Sequence, residues 1–148
     1  MSINIEVNLG VRNAHRELPL TAETARSALR SLDGDDTSAL TFERDHHLLQ
    51  VGGGPDKFVV NYAVPDAQGQ PEEWYSLVTD PEAKGQEERI VAGNLTNQAA
   101  CELVSVEAAE AAAVEFAETG RINLTPEWLS QVELARLVRA NVDVEEPE

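Results

Sequence analysis

The stretch from residue 58 to residue 78, FVVNYAVPDAQGQPEEWYSLV, contains two runs of strand-forming residues on either side of a polar connector. Phe58–Val64 and Trp74–Val78 are rich in β-branched and aromatic side chains, which are typical of strands. The connector PDAQGQP contains proline, glycine and aspartate, which favour turns. This stretch therefore predicts two neighbouring strands joined by a short turn.

Further strand patterns lie on both sides of this pair. They are marked by Leu40 and Phe42, Leu49 and Val51, Arg89–Ala92, and Cys101–Val104. The first two strands are joined around Arg44–His47. The run Gly52–Gly54 predicts a tight turn, because it lacks the lysine and serine or threonine that end a phosphate-binding loop. With a polar loop at 79–88, residues 39–104 predict a meander of mostly antiparallel strands.

Ahead of the meander, the chain predicts one strand and one helix. Residues 3–9 alternate between apolar and polar side chains, the pattern of a half-buried strand. Residues 22–32 repeat their apolar side chains at helical spacing, and Thr21 is placed to cap this helix. His15, between the two elements, is assigned to a surface loop.

Two more helices are predicted in the last third of the chain. Ser105 is placed to cap a helix over about 106–118, and Gly120 lies just past its end. One face of this helix is rich in alanine and the opposite face is acidic. The acidic residues are Glu107, Glu110, Glu115 and Glu118. The Thr-Pro pair at 125–126 predicts a third helix that runs to about residue 140. Because that helix is apolar on most sides, we expect it to be deeply packed or covered by another chain.

Together these elements predict an α+β fold, in which a mostly antiparallel meander sheet packs against two or three helices. A chain of 148 residues is long enough to bury one sizeable core. We therefore expect a single domain over residues 1–142, followed by an acidic tail at 143–148 that frays. The order of the strands in the sheet does not follow from the sequence.

The acidic composition excludes several classes of function. The chain has 27 acidic and 11 basic side chains and a net charge of −16, which repels nucleic acid and anionic membranes and attracts basic proteins. It begins without the segments of a signal peptide, and it has no apolar run as long as a membrane span. A single cysteine fits a reducing compartment. We therefore expect a cytoplasmic protein that binds neither nucleic acid nor membrane.

The negative charge is concentrated in four segments of the chain. Their ranges are 33–36, 71–88, 102–118 and 143–148. Each segment is either a solvated surface that keeps the protein soluble, or part of one face that meets a basic partner. Aromatic residues beside acids are typical of such an interface, although core packing also explains Trp74 and Trp128. The candidate partner-binding residues are Asp33, Asp35, Asp36, Glu72, Glu73, Trp74 and Tyr75. The acidic face of the second helix is the second choice.

The sequence contains no recognisable catalytic or metal-binding motif. His46 and His47 are adjacent, so in a strand their side chains point to opposite faces and are poorly placed to bind one metal ion. The sequence places no base or orienting group beside Cys101, and a small packing role is its simpler interpretation. We therefore predict no enzyme activity, no metal and no cofactor. The enzymatic alternative uses Cys101 or the two histidines.

Several features of the second half of the chain follow one another in a recognisable order. They are the Gly52–Gly54 turn with FVVNY after it, the EEWYS strand, the ERIVAG strand, the VEAAEAAAVEFAETG helix, and the pair Pro126 and Trp128. Over roughly residues 39–129 this order resembles the first-numbered class of immunity proteins from bacterial polymorphic toxin systems. The first strand and helix fit the pattern loosely, and the chain from Ser130 onward extends beyond it.

This resemblance implies a small cytoplasmic α+β protein that binds and neutralises a toxin, in many cases a nucleic acid deaminase. It carries over no catalytic residues. An acidic protein also suits the basic surface that such an enzyme offers to its substrate. We therefore expect an immunity protein whose partner is a basic toxin domain, with its oligomeric state left open. The alternative is an acidic secretion chaperone that forms a homodimer through residues 126–140 and holds a segment of its client.

Overall fold

Most of the strands pair in one sheet, whereas two strands from the predicted meander form a separate hairpin. The computed structural model describes residues 2–9, 12–33, 37–91 and 94–142. The strands are β1 (Ser2–Leu9), β2 (Arg12–Pro19), β3 (Thr37–Arg44), β4 (His47–Gly53), β5 (Lys57–Pro65), β6 (Pro71–Leu77), β7 (Gln86–Val91), β8 (Asn94–Ala99), β9 (Val104–Ser105) and β10 (Trp128–Ser130). The helices are α1 (Ala22–Arg30), α2 (Val106–Thr119) and α3 (Gln131–Val142).

The order of the strands in the main sheet is β10-β6-β5-β4-β3-β1-β2, and all neighbouring pairs in it are antiparallel. The short strand β9 pairs with the start of β5, and β7 and β8 form a separate hairpin. The predicted α+β fold with a mostly antiparallel sheet is confirmed.

One face of the sheet forms the main core with α1 and α2. Phe42, Leu49 and Val60 point from successive strands of the sheet into this core, and each is fully buried. From α2, Phe116 packs edge-on against the ring of Tyr62, with 6.2 Å between the ring centres. Alternation along the strands brings these apolar residues to one side, as the sequence pattern predicts.

The other face of the sheet is also covered. Val59, Ala63 and Ser76 alternate with the core residues of their strands and are buried nonetheless. The hairpin of β7 and β8 contacts β3 and β4, and α3 contacts β6, β8 and β10. We infer that these late elements cover the second face. Among the described residues, no helix is both long and apolar enough to cross a lipid bilayer.

The caps predicted for the first two helices are confirmed. The Thr21 hydroxyl accepts the Thr24 N–H at the start of α1, and the Ser105 hydroxyl accepts the Ala108 N–H at the start of α2. Gly120 ends α2 in the left-handed conformation, where glycine is favoured.

Four local predictions are wrong. His15 lies in β2 and not in a loop, and the predicted loop at 79–88 ends earlier because β7 starts at Gln86. The predicted strand Cys101–Val104 is a 3₁₀ turn, Ala100–Glu102, followed by β9. The third helix begins at Gln131 and not at Pro126, since Trp128–Ser130 pair with the edge of β6 as β10.

The position of α1 depends on a close approach between Leu32 and the β4–β5 turn. A Cβ atom on Gly54, whose φ is +99°, would lie 2.6 Å from the carbonyl oxygen of Leu32. Gly85 has a similar φ of +86°, but nothing lies within 4 Å of its Cβ position. We expect Gly85→Ala to lower the free energy of unfolding by about 1–2 kcal/mol, through backbone strain alone.

Gly54→Ala is expected to cost at least about 1 kcal/mol more than Gly85→Ala, because it adds overpacking to the same strain. Urea unfolding of the two variants measures the difference. An equal decrease in the free energy of unfolding for the two variants would show that the backbone at Leu32 can shift without cost.

Candidate partner-binding surface

The structure places Asp33 at the opposite end of the sheet from Glu72 and Glu73. Asp33 follows Leu32, which lies against the β4–β5 turn, whereas Glu73 pairs with Val64 near the far end of β5. The seven steps along the chain from Lys57, at the start of β5, to Val64 span about 23 Å. The structure therefore does not bring these candidate residues together, and Asp35 and Asp36 lie outside the described residues.

The remaining first-choice candidates, Glu72–Tyr75, lie on an exposed strand that we call the β6 edge. Alternation places Glu73 and Tyr75 on the face toward the helices, and Glu72 and Trp74 on the other face. Since β10 pairs only with Tyr75–Leu77, the β6 edge has no outer strand partner over residues 72–74 among the described residues. The Tyr75 hydroxyl donates to Glu73 Oε1 at 3.2 Å. Burial, followed by the charge of Glu73, raises the pKa of Tyr75.

The two tryptophans differ in their surroundings. Trp128 is 8% exposed and belongs to the core, where its ring packs edge-on against Tyr62. Trp74 is only half-buried. The core interpretation of Trp128 is therefore confirmed, and Trp74 presents part of its ring at the surface.

The outer side of α2 forms a shallow acidic groove of about 550 Å³. We call this surface the α2 acidic face. Its α2 residues are Glu107, Glu110, Ala111, Val114, Glu115, Glu118 and Thr119, and Arg26 of α1 also lines the groove. Glu107 and Glu118, at its two ends, are eleven residues apart and therefore about 17 Å apart along the helix axis. The four carboxylates share one face, as the helical spacing predicts, and the two small apolar side chains lie between them.

Two of these four carboxylates already have partners. Glu110 forms ion pairs with Arg26 and Arg30 of α1, at 3.2 and 3.0 Å. Glu115 Oε2 accepts the backbone N–H of Asn123 at 2.7 Å. Glu107 and Glu118 are exposed, and neither has an ion-pair partner within the described part of the chain. The two ends of the α2 acidic face therefore carry negative charge that the protein does not neutralise.

A smaller cavity of about 230 Å³, which we call the α2 cleft, opens on the other flank of α2. Its walls are α2, the end of β6 and the segment 123–128. Ala111 and Glu115 line both the α2 cleft and the groove of the acidic face. The two depressions are therefore neighbours on one surface.

The enzymatic alternatives gain no support from the geometry. Cys101 is buried beside β9, which pairs with the start of β5, whereas His46 and His47 lie by the β3–β4 turn at the other end of the sheet. Burial raises the pKa of the Cys101 thiol, which disfavours the reactive thiolate. In the described segments, no three metal-ligating side chains come together.

A buried polar network at His47 supports the loop after α2, and the sequence did not reveal it. His47 Nδ1 lies 2.7 Å from the Tyr62 hydroxyl, and Nε2 lies 3.2 Å from Arg121 Nη1. Since the Arg121 guanidinium can only donate, Nε2 accepts and the proton of neutral His47 is on Nδ1. Burial, followed by the charge of Arg121, lowers the pKa of His47. The network joins β4 and β5 to Arg121, two residues before the segment that forms one wall of the α2 cleft.

This network predicts that the protein loses stability in mildly acidic solution. An unfolded chain binds a proton at His47 with a pKa of about 6.5, and folding lowers that pKa. The stability contributed by neutral His47 is therefore complete above about pH 6.5 and is lost as the pH falls toward the folded-state pKa, by at most about 1.4 kcal/mol per pH unit.

Urea unfolding of wild type and His47→Gln between about pH 5.5 and pH 8 measures this contribution. We expect the free energy of unfolding of His47→Gln to be lower than that of the wild type at pH 8 and to fall less than that of the wild type as the pH is lowered. The exposed neighbour provides the control: His46→Gln makes the same substitution one position away and is measured over the same pH range. If the free energy of unfolding depends on pH in the same way for wild type and His47→Gln, protonation of His47 is not the cause of the acid-induced loss of stability.

Comparison with known proteins adds one finding to this geometry. No curated protein matches the chain. The sequence model of the family described as "Immunity protein Imm1" matches residues 14–130, well over half of the chain. The match includes α1 and ends at Ser130, directly before α3, and it contains both the α2 acidic face and the α2 cleft. The chain therefore belongs to the Imm1 family of immunity proteins.

Proposed function

We propose that this protein neutralises a nucleic acid deaminase toxin by covering the basic surface on which the toxin binds its substrate. Membership of an immunity family implies an inhibitor that acts by binding a toxin. The observation that carries the finer proposal is the α2 acidic face, a contiguous groove whose carboxylates at Glu107 and Glu118 have no partner in the described structure.

The charge of the protein supports a cationic partner. An enzyme that acts on nucleic acid holds the phosphate backbone with basic side chains, and it takes the target base into a pocket. A groove with a negative charge at each end complements such a surface, as a backbone with regularly spaced phosphates does. Binding there excludes the substrate without any chemical step by the immunity protein.

The net charge also suits the kinetics of protection. Electrostatic attraction between oppositely charged proteins increases the association rate far more than it increases affinity. A protein with a charge of −16 therefore meets a cationic toxin quickly, before the toxin reaches nucleic acid. We assign the main contact to the α2 acidic face and a peripheral, rate-enhancing contact to the β6 edge.

The test pairs the purified protein with its cognate toxin domain, to be identified from the reading frame next to its gene. The domain alone should release ammonia from cytosine or adenine in DNA or RNA, and an equimolar amount of this protein should abolish that release. A domain that deaminates nothing, or that stays active in a stoichiometric excess of the protein, would overturn the proposal. Light scattering of the free protein addresses the chaperone alternative, which requires a tight homodimer.

A further inference from the structure

The α2 cleft lies beside the proposed contact surface and has the size of a single amino-acid side chain. Its volume of about 230 Å³ is below the roughly 300–1,000 Å³ of sites for small molecules and cofactors. It is open at the protein surface between α2 and the segment 123–128. We propose that this cleft receives an arginine side chain of the toxin, an inference that rests on the proposed function.

The chemistry of the cleft matches both parts of an arginine side chain. Its apolar lining comes from Leu77, Ala108, Ala112 and Trp128. Such a lining suits the methylene groups of the arginine stem, and the indole ring also attracts a cation. Two glutamates, Glu115 and Glu127, also line the cleft, and their negative charge attracts a cation and would repel an acidic side chain.

The two carboxylates are attached to positions that the fold holds in place. Glu115 Oε2 accepts the Asn123 N–H at 2.7 Å, which orients the carboxylate and leaves its second oxygen to accept another bond. The backbone of Glu127 is held by its carbonyl oxygen, which accepts the Val78 N–H at 2.8 Å. A guanidinium has five donors in a rigid plane and can bond to both carboxylates, whereas a lysine ammonium is a point charge. Arginine is therefore the better occupant.

An exposed apolar side chain beside the cleft marks the same region as an interface. Among the described residues, Leu124 and Val132 are the exposed large apolar side chains, at 43% and 61%. Leu124 lies between Asn123 and Thr125, both of which line the cleft, whereas Val132 belongs to α3. A pocket for an anchoring side chain with apolar contacts around it is the usual anatomy of a binding hot spot.

Four single variants test the cleft in the complex with the toxin domain. Glu127→Gln removes one charge at constant shape, and Thr79→Phe fills the cleft at an exposed wall residue. The matched controls are Glu82→Gln, which removes a charge from an exposed loop outside the cleft, and Thr79→Ser. We expect Kd to rise at least about tenfold for both cleft variants and to change less than about twofold for both controls.

The outcomes separate this inference from the proposed function. If the wild type inhibits the toxin and the cleft variants bind as tightly as their controls, the cleft inference is wrong and the proposed function stands. If Thr79→Phe weakens binding and Glu127→Gln does not, the occupant is apolar and the arginine inference is wrong. If the wild type binds no deaminase, both fall together.

A double-mutant cycle identifies the occupant as arginine. Each surface arginine of the toxin domain is replaced by alanine and measured against wild type and Glu127→Gln. For one of these arginines, we expect replacement by alanine to weaken binding to the wild type at least about tenfold and binding to Glu127→Gln less than about threefold. Independent effects for every arginine would overturn the inference.

Discussion

Replacing Phe116 with alanine is expected to lower the free energy of unfolding by about 3–5 kcal/mol. Phe116 is fully buried between α2 and the sheet, and its ring packs edge-on against Tyr62. Tyr62 in turn contacts the rings of Tyr75 and Trp128, so truncation of Phe116 leaves a cavity within an aromatic cluster. Since whole domains of this size are stable by only about 5–15 kcal/mol, one substitution removes a large share of the stability.

The expected loss is measured by urea unfolding, with Val114→Ala as the matched control on the same helix. Val114 is half-exposed on the α2 acidic face, so its truncation should cost less than about 1.5 kcal/mol. A Phe116→Ala variant that loses no more than Val114→Ala would contradict the assignment of α2 to the core.

Elements with strong local signals could be predicted from the sequence. The helix α2 combines a serine cap, an alanine-rich stripe and a glycine just past its end, and its bounds agree with the prediction to within one residue at each end. The strands β3 to β6 contain apolar residues at alternate positions or β-branched runs. In these segments local preference and tertiary packing favour the same structure.

The sequence does not predict elements whose conformation depends on the rest of the fold. Two strands have mostly polar sequences: β2 is RNAHRELP and β8 is NLTNQA. Each of these segments forms a strand because a neighbouring strand supplies its hydrogen-bond partners. The start of α3 did carry a signal. Ser130 and Glu133 exchange side-chain to backbone hydrogen bonds, which form the capping box that the pattern Ser-x-x-Glu predicts. The Thr-Pro pair at 125–126 is a competing signal for the start of a helix, and it predicts the wrong residue.

Of the two alternatives expected for the third helix, deep packing or partial cover by another chain, deep packing is wrong. Val132 is 61% exposed, and most of the apolar residues that follow it in α3 are only half-buried. The buried anchor of this helix is polar: Asn141 Nδ2 donates to the Pro81 carbonyl oxygen and Oδ1 accepts from Lys84. The helix therefore leaves apolar surface exposed, at Val132 above all.

The candidate surface could be predicted only in part. Helical spacing is a local property, so the shared face of the four glutamates of α2 followed from the sequence. The distance between Asp33 and Glu72 depends on strand order and on which end of the sheet each turn occupies, and neither can be read from residue spacing. The α2 cleft combines residues from β6, α2 and the segment before β10, so that no local pattern predicts it.

Two double charge reversals are expected to locate the toxin contact. Glu107→Lys with Glu118→Lys changes the α2 acidic face, and Glu72→Lys with Glu73→Lys changes the β6 edge. Each pair changes the net charge from −16 to −12, so the general attraction to a cationic toxin weakens equally in both. Both variants should associate more slowly, with a flatter dependence on salt. Only the α2 variant places like charges inside the proposed interface, which costs several kcal/mol.

We therefore expect Kd to rise at least about a hundredfold for the α2 variant and less than about tenfold for the β6 variant. Association and dissociation rates measured at two salt concentrations distinguish attraction at long range from direct contact, because contact residues change dissociation most. Folding should not confuse the result: lysine is unfavourable at the start of α2 and favourable at its end, so the two helix-dipole effects offset each other. A larger increase in Kd for the β6 variant than for the α2 variant would show that the main contact is at the β6 edge. There Trp74 is half-buried, and residues 72–74 have no outer strand partner among the described residues.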